Sequence, residues 1–108
     1  MSFDEIKRAV ERLFLGRPLP ITSKGYFNAV ECVTTFLCEK RANGDIVPAT
    51  ELYDRIEKRF KLEKGVVNKR LLDFVKQAWR LFPEYFADKP KPYHFIVKIA
   101  SELDVVLA

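Results

Sequence analysis

The side chains best suited to bind a ligand lie late in the chain and are mostly basic. Lys64, Asn68 and Lys69 surround the predicted start of a helix, where backbone N–H groups and the helix dipole attract phosphate. The amide of Asn68 carries the donor and acceptor pair that matches an adenine edge. We expect these three residues to contact DNA, with five further cations as positioning contacts: Arg70, Lys76, Arg80, Lys89 and Lys91.

The net charge of +4 is unevenly distributed along the chain. Residues 1–60 carry ten basic and nine acidic side chains, whereas residues 61–98 carry nine basic and four acidic ones. A positive field concentrated in the second block attracts a polyanion and speeds encounter with it. The alternative interpretation is an ordinary solvated surface, which a net charge of this size also fits.

Catalytic and metal-binding patterns do not occur in the sequence. His94 is the sole histidine, and Cys32 and Cys38 stand six residues apart in one predicted helix. That spacing separates their Cα atoms by roughly 9 Å, too far for a disulfide, and it is not a zinc-ligand spacing. Asp54 and Glu57 have basic neighbours, which favours a surface ion-pair network. We therefore expect no enzymatic activity, no cofactor, no metal and no small-molecule ligand.

Apolar residues at helical spacing predict four helices along the first three quarters of the chain. Ser2 and Glu5 form a capping box before the first helix, and the prolines Pro18 and Pro20 make the following connector extended. The β-branched stretch Asp45–Val47 predicts a single short strand. The four predicted helices occupy residues 3–15, 24–41, 49–60 and 67–82.

Residues 84–99 allow two interpretations. The aromatic and β-branched runs Glu84–Ala87 and Tyr93–Ile99 predict two strands, joined by the basic, proline-rich loop Asp88–Pro92. The predicted fold class is then mainly α with a small β-hairpin (α+β). The alternative is an all-α helical bundle, in which this region is a helix with one apolar stripe. That stripe consists of Phe95, Ile96, Ile99, Leu103 and Val106.

The segment Val47–Ile56, with the turn and the helix Val67–Val75 after it, resembles winged helix-turn-helix DNA-binding domains. The likeness covers about residues 45–98. Its Val-Pro-x-x-Glu-Leu-Tyr portion also looks like the winged helix attached to primase-helicases of phages and plasmids. The resemblance implies duplex binding, with the helix after Gly65 in the major groove and the 88–92 loop as the wing beside it.

A length of 108 residues predicts one domain, in which a helical arm (1–16), a winged core (24–99) and a tail (100–108) follow one another. No membrane-spanning stretch or secretory signal is evident, so we expect an intracellular, cytoplasmic protein. The leading hypothesis is a homodimeric transcription regulator that binds double-stranded DNA. The alternative is a helical protein–protein interaction module, such as an adaptor, accessory or virion component, whose basic surface is incidental.

Overall fold

Local sequence signals begin and end most of the helices in the computed structural model, which describes residues 1–17, 19, 23–86 and 91–108. Ser2 caps the first helix through the predicted box, because its hydroxyl accepts from the N–H of Glu5 while Glu5 accepts from the N–H of Ser2. Ser23 caps the second helix, and Gly44 ends it with a φ of +72°. The helices are α1 Phe3–Leu15, α2 Lys24–Asn43, α3 Ala49–Phe60, α4 Val66–Leu81 and α5 Pro92–Leu107.

Helix α2 is the central element of the core, because it packs against all four other helices. Its sequence Val33-Thr34-Thr35-Phe36 favours a strand by intrinsic propensity, yet every one of these side chains is buried within a helix. The buried hydroxyl of Thr34 donates a hydrogen bond of 2.7 Å to the carbonyl of Val30, so it keeps a hydrogen-bond partner inside the core. Tertiary packing therefore overrides local propensity here.

An aromatic cluster joins helices from opposite ends of the chain. The rings of Phe14 in α1, Phe74 in α4 and Phe95 in α5 lie 5.7 to 6.2 Å apart, centroid to centroid. All three side chains are at most 3% exposed. The cluster fixes α5 against the rest of the protein.

The predicted β-hairpin is wrong, and the all-α alternative agrees with the structure. Residues 83–85 form a short 3₁₀ turn, and Pro92–Leu107 is one helix that includes the second predicted strand and residues 100–107 of the predicted tail. Pro92 fits the first turn of α5, where its missing N–H costs nothing. The described residues contain no strand, and residues 87–90, most of the predicted wing, lie outside them. The aromatic and β-branched run Tyr93–Ile99 is part of this helix, which buries Phe95, Ile96 and Ile99.

The strand predicted at Asp45–Val47 is also wrong, because this segment forms no ladder in the structure. Val47 is 3% exposed, and its carbonyl accepts a hydrogen bond of 2.7 Å from the hydroxyl of Tyr93. This bond ties the connection between α2 and α3 to α5.

Pro18 and Pro20 of the predicted extended connector lie outside the described residues. None of the helices described is long and apolar enough to cross a membrane.

Candidate nucleic-acid interface

Helix α4 is positioned by a close approach to the start of α2. A Cβ atom added at Gly25 would lie 2.5 Å from the carbonyl oxygen of Arg70 and 2.6 Å from the Cβ of Phe74. Only a glycine permits the two backbones to come this close. The sequence carries no signal for this role of Gly25, because a glycine near a helix start does not reveal which helix crosses it.

The N-terminus of α4 is capped by a carboxylate from α3. Glu57 is 6% exposed, and its Oε2 accepts hydrogen bonds from the N–H of Gly65 at 2.8 Å and of Val67 at 3.1 Å. The carboxylate thus pairs two N–H groups at the helix start and places a negative charge at the positive end of the dipole. The assignment of Glu57 to a surface ion-pair network is wrong, since its carboxylate is buried. Asp54 does form a surface pair, with Lys58 at 2.9 Å.

This cap changes the chemistry expected at the start of α4. The sequence predicts that backbone N–H groups there bind phosphate. Two of these groups, at Gly65 and Val67, already donate to Glu57. These two N–H groups are therefore not available to an external phosphate, and the side chains of α4 carry more of any anion binding.

The predicted DNA-contacting residues lie on separate surfaces. Lys69, Lys76 and Arg80 are exposed and share the side of α4 opposite its buried face, and we call these three residues the basic stripe. Asp73 is exposed on the same side. Arg70 is half-buried and lines a different cavity.

The other predicted contacts are more scattered. Lys64 and Asn68 are exposed and line an open groove of about 750 Å³ between α3 and α4, together with three acidic residues, Glu51, Asp54 and Glu57. Lys91 is exposed and precedes the first residue of α5. Lys89 lies outside the described residues.

Ion pairs are unevenly distributed along the described residues: none involves a cation of residues 61–81, although Arg8, Arg12 and Lys24 are also without an ion pair there. Residues 61–81 hold six basic and two acidic side chains, and none of the six forms an ion pair within the described part of the chain. The net charge of residues 61–81 is thus +4, which equals the net charge of the whole protein. The paired cations, all from α1, α2, α3 or the residues just after α1, are Lys7, Arg17, Lys40, Arg41, Arg55, Lys58 and Arg59. The positive field is therefore concentrated on α4 and the turn before it.

The two thiols lie away from this charged surface. Burial raises the pKa of the Cys32 thiol. Burial is also the main cause that raises the pKa of the half-buried Cys38 thiol. A raised pKa disfavours the nucleophilic thiolate. Within the ranges that the structure describes, no three His, Cys, Asp or Glu side chains are grouped to hold a metal ion.

The chain was compared with protein-family models, curated proteins and solved structures, and none of them matches it. The features that bear on function are therefore those of the molecule itself. They are five α-helices without a strand in the described residues, the close packing of α4 on α2, and a cationic outer face on α4.

Proposed function

We propose that this protein binds double-stranded DNA through the outer face of α4. The observation that carries the proposal is the segregation of charge. Seven cations elsewhere in the described chain form ion pairs with carboxylates, whereas none of the six in residues 61–81 does, so these six remain to attract an external anion. A protein surface of this kind gains affinity by releasing the counterions condensed on nucleic acid.

The dimensions of the basic stripe suit a duplex. Lys69 and Arg80 are eleven residues apart in sequence, or about 16 Å along the axis of α4. The major groove, about 12 Å wide, admits an α-helix whose flanking cations then reach phosphates on either side. Asp73 lies within the stripe, where its carboxylate would accept from a cytosine amino group.

Asn68 and Lys64 lie beside this surface, along the groove between α3 and α4. In the proposal Lys64 contacts a phosphate and Asn68 reads an adenine edge, while the basic stripe positions the helix. The carboxylate of Glu51 lies along the same groove, but it is held by Arg55 at 2.7 Å. Arg55 also pairs with Glu39 at 3.1 Å, so it offsets the charge of Glu51 only in part.

We extend the proposal to a homodimeric transcription regulator. Two copies would present two α4 helices to successive turns of a duplex, which is how small helical regulators gain affinity and specificity. Exposed apolar side chains suited to self-association occur at the end of α5, where Val105 is 77% and Val106 73% exposed.

The test is a titration of a random-sequence 25-base-pair duplex, followed by fluorescence anisotropy at several salt concentrations. Contacts from Lys64 and the three residues of the basic stripe neutralise about four phosphates, so the slope of log affinity against log salt should be near −3.6. Affinity should then fall roughly a hundredfold between 50 and 200 mM salt. Failure to bind at low salt would refute the proposal and favour the protein-interaction alternative.

A further inference from the structure

A second surface of the protein has the features of a ligand site. A cavity of about 440 Å³ opens between α1, the first turns of α2, the turn after α3, and α4. Its rim carries two exposed aromatic rings, Phe27 at 64% and Phe60 at 48% exposure. Cavities of this volume with apolar walls accommodate small organic molecules.

One wall of the cavity holds a buried polar group without a partner. Asn28 is only 5% exposed, and its Oδ1 accepts no hydrogen bond from the residues described. A buried acceptor left in this way is costly, so native structures seldom retain one without a purpose. A ligand that brings an N–H or O–H donor to this amide would relieve that cost.

The charges around the cavity are unbalanced towards positive. Lys7 and Arg59 both pair with the buried carboxylate of Glu31, at 2.7 and 3.1 Å. Lys24 and Arg70 also line the cavity, but neither has a carboxylate partner in the part of the chain that the structure describes. The cavity therefore offers two free cations beside apolar rings, and it would repel a cationic ligand.

We propose that this cavity binds a small organic anion with an aromatic body and a hydrogen-bond donor. Phe27 and Phe60 contact the aromatic body, Lys24 and Arg70 hold the anionic group, and the Asn28 amide accepts from the donor. Arg70 thus belongs to this site rather than to the basic stripe. The proposal does not depend on DNA binding, because no residue of the stripe lines the cavity.

The probe is indole-3-acetate, which has an aromatic ring, a carboxylate and an N–H donor. The matched control is tryptamine, which has the same ring but a positive charge. Two-dimensional NMR of the whole chain should show saturable shifts with indole-3-acetate, confined to the amides around Lys24–Glu31, Phe60–Leu62 and Arg70. Tryptamine should bind at least tenfold more weakly. Equal binding of both compounds, shifts spread over the surface, or no saturation by 10 mM would overturn the proposal.

Two variants test the assigned contacts. Arg70→Gln should weaken indole-3-acetate at least fivefold, whereas Arg8→Gln, the same charge change on an exposed part of α1, should leave it within twofold. Asn28→Leu should weaken the probe and also raise the melting temperature, because it removes the unpartnered acceptor. If Asn28→Leu lowers the melting temperature, or if Arg8→Gln weakens binding as much as Arg70→Gln, the assigned contacts are wrong. Binding of an acidic peptide without any binding of indole-3-acetate would likewise overturn the proposal.

Discussion

Replacing Gly25 with alanine should lower the free energy of unfolding by about 3 kcal/mol, at the upper end of the range for overpacked cores. The new Cβ would lie 2.5 Å from the carbonyl oxygen of Arg70 and 2.6 Å from the Cβ of Phe74. Both are backbone or near-backbone atoms, so no side-chain rotation relieves the clash. Helix α4 would have to move away from α2, which disturbs the core around Phe14 and Phe95. Urea denaturation followed by circular dichroism measures the loss.

Gly16→Ala is the matched control for this variant. A Cβ at Gly16 would meet its nearest atoms, the carbonyl oxygens of Leu13 and Arg12, at 3.6 and 3.7 Å, which is ordinary contact. Its φ of −78° suits alanine, so the change in stability should stay within about 0.5 kcal/mol. Equal effects of Gly25→Ala and Gly16→Ala would contradict the close packing of α4 on α2.

The second large effect is expected at Glu57. Glu57→Ala should cost about 3 kcal/mol, because it removes the acceptor of the buried Val67 N–H and of the part-buried bond from the Gly65 N–H. The start of α4 should fray as a result. Hydrogen exchange at the Gly65 and Val67 amides should speed up in the variant, together with the fall in stability measured by urea denaturation.

Glu57→Gln separates the hydrogen bonds from the charge. Glutamine keeps an acceptor oxygen at nearly the same place and loses only the favourable charge at the helix start, so it should cost about 1 kcal/mol or less. Alanine and glutamine variants of equal stability, or unchanged exchange at Gly65 and Val67 in Glu57→Ala, would show that the cap does not hold α4.

Much of the helical structure follows from local sequence. The capping box at Ser2 and Glu5, the stop at Gly44 and the apolar stripes of α1, α3 and α4 are signals carried by neighbouring residues. The region after residue 83 was mispredicted because Tyr93–Ile99 fits both a strand and a helix in composition. Phe95 contacts Phe14 and Phe74, which are distant in sequence, and this packing favours the helix over the strand.

Some features of the candidate sites can likewise be predicted from local sequence, whereas others depend on contacts between distant segments. Exposure of Lys69, Lys76 and Arg80 follows from helical spacing alone, and the structure has them exposed as predicted. The roles of Gly25, Glu57 and Asn28 depend on which element lies across each of them. No single-sequence pattern carries that information. Because the described residues form no hairpin, α4 is the element on which the DNA proposal rests.

The most direct test of the central claim compares two sets of neutralised cations in the anisotropy titration. Lys69→Gln, Lys76→Gln and Arg80→Gln combined should bring the salt slope from about −3.6 to about −0.9, because three phosphate contacts are lost. Arg8→Gln combined with Arg12→Gln, two exposed cations of α1, should leave the slope near −3.6 and affinity within about threefold. If removing the basic stripe leaves the slope unchanged, or if the α1 pair lowers it equally, DNA binding through α4 is refuted.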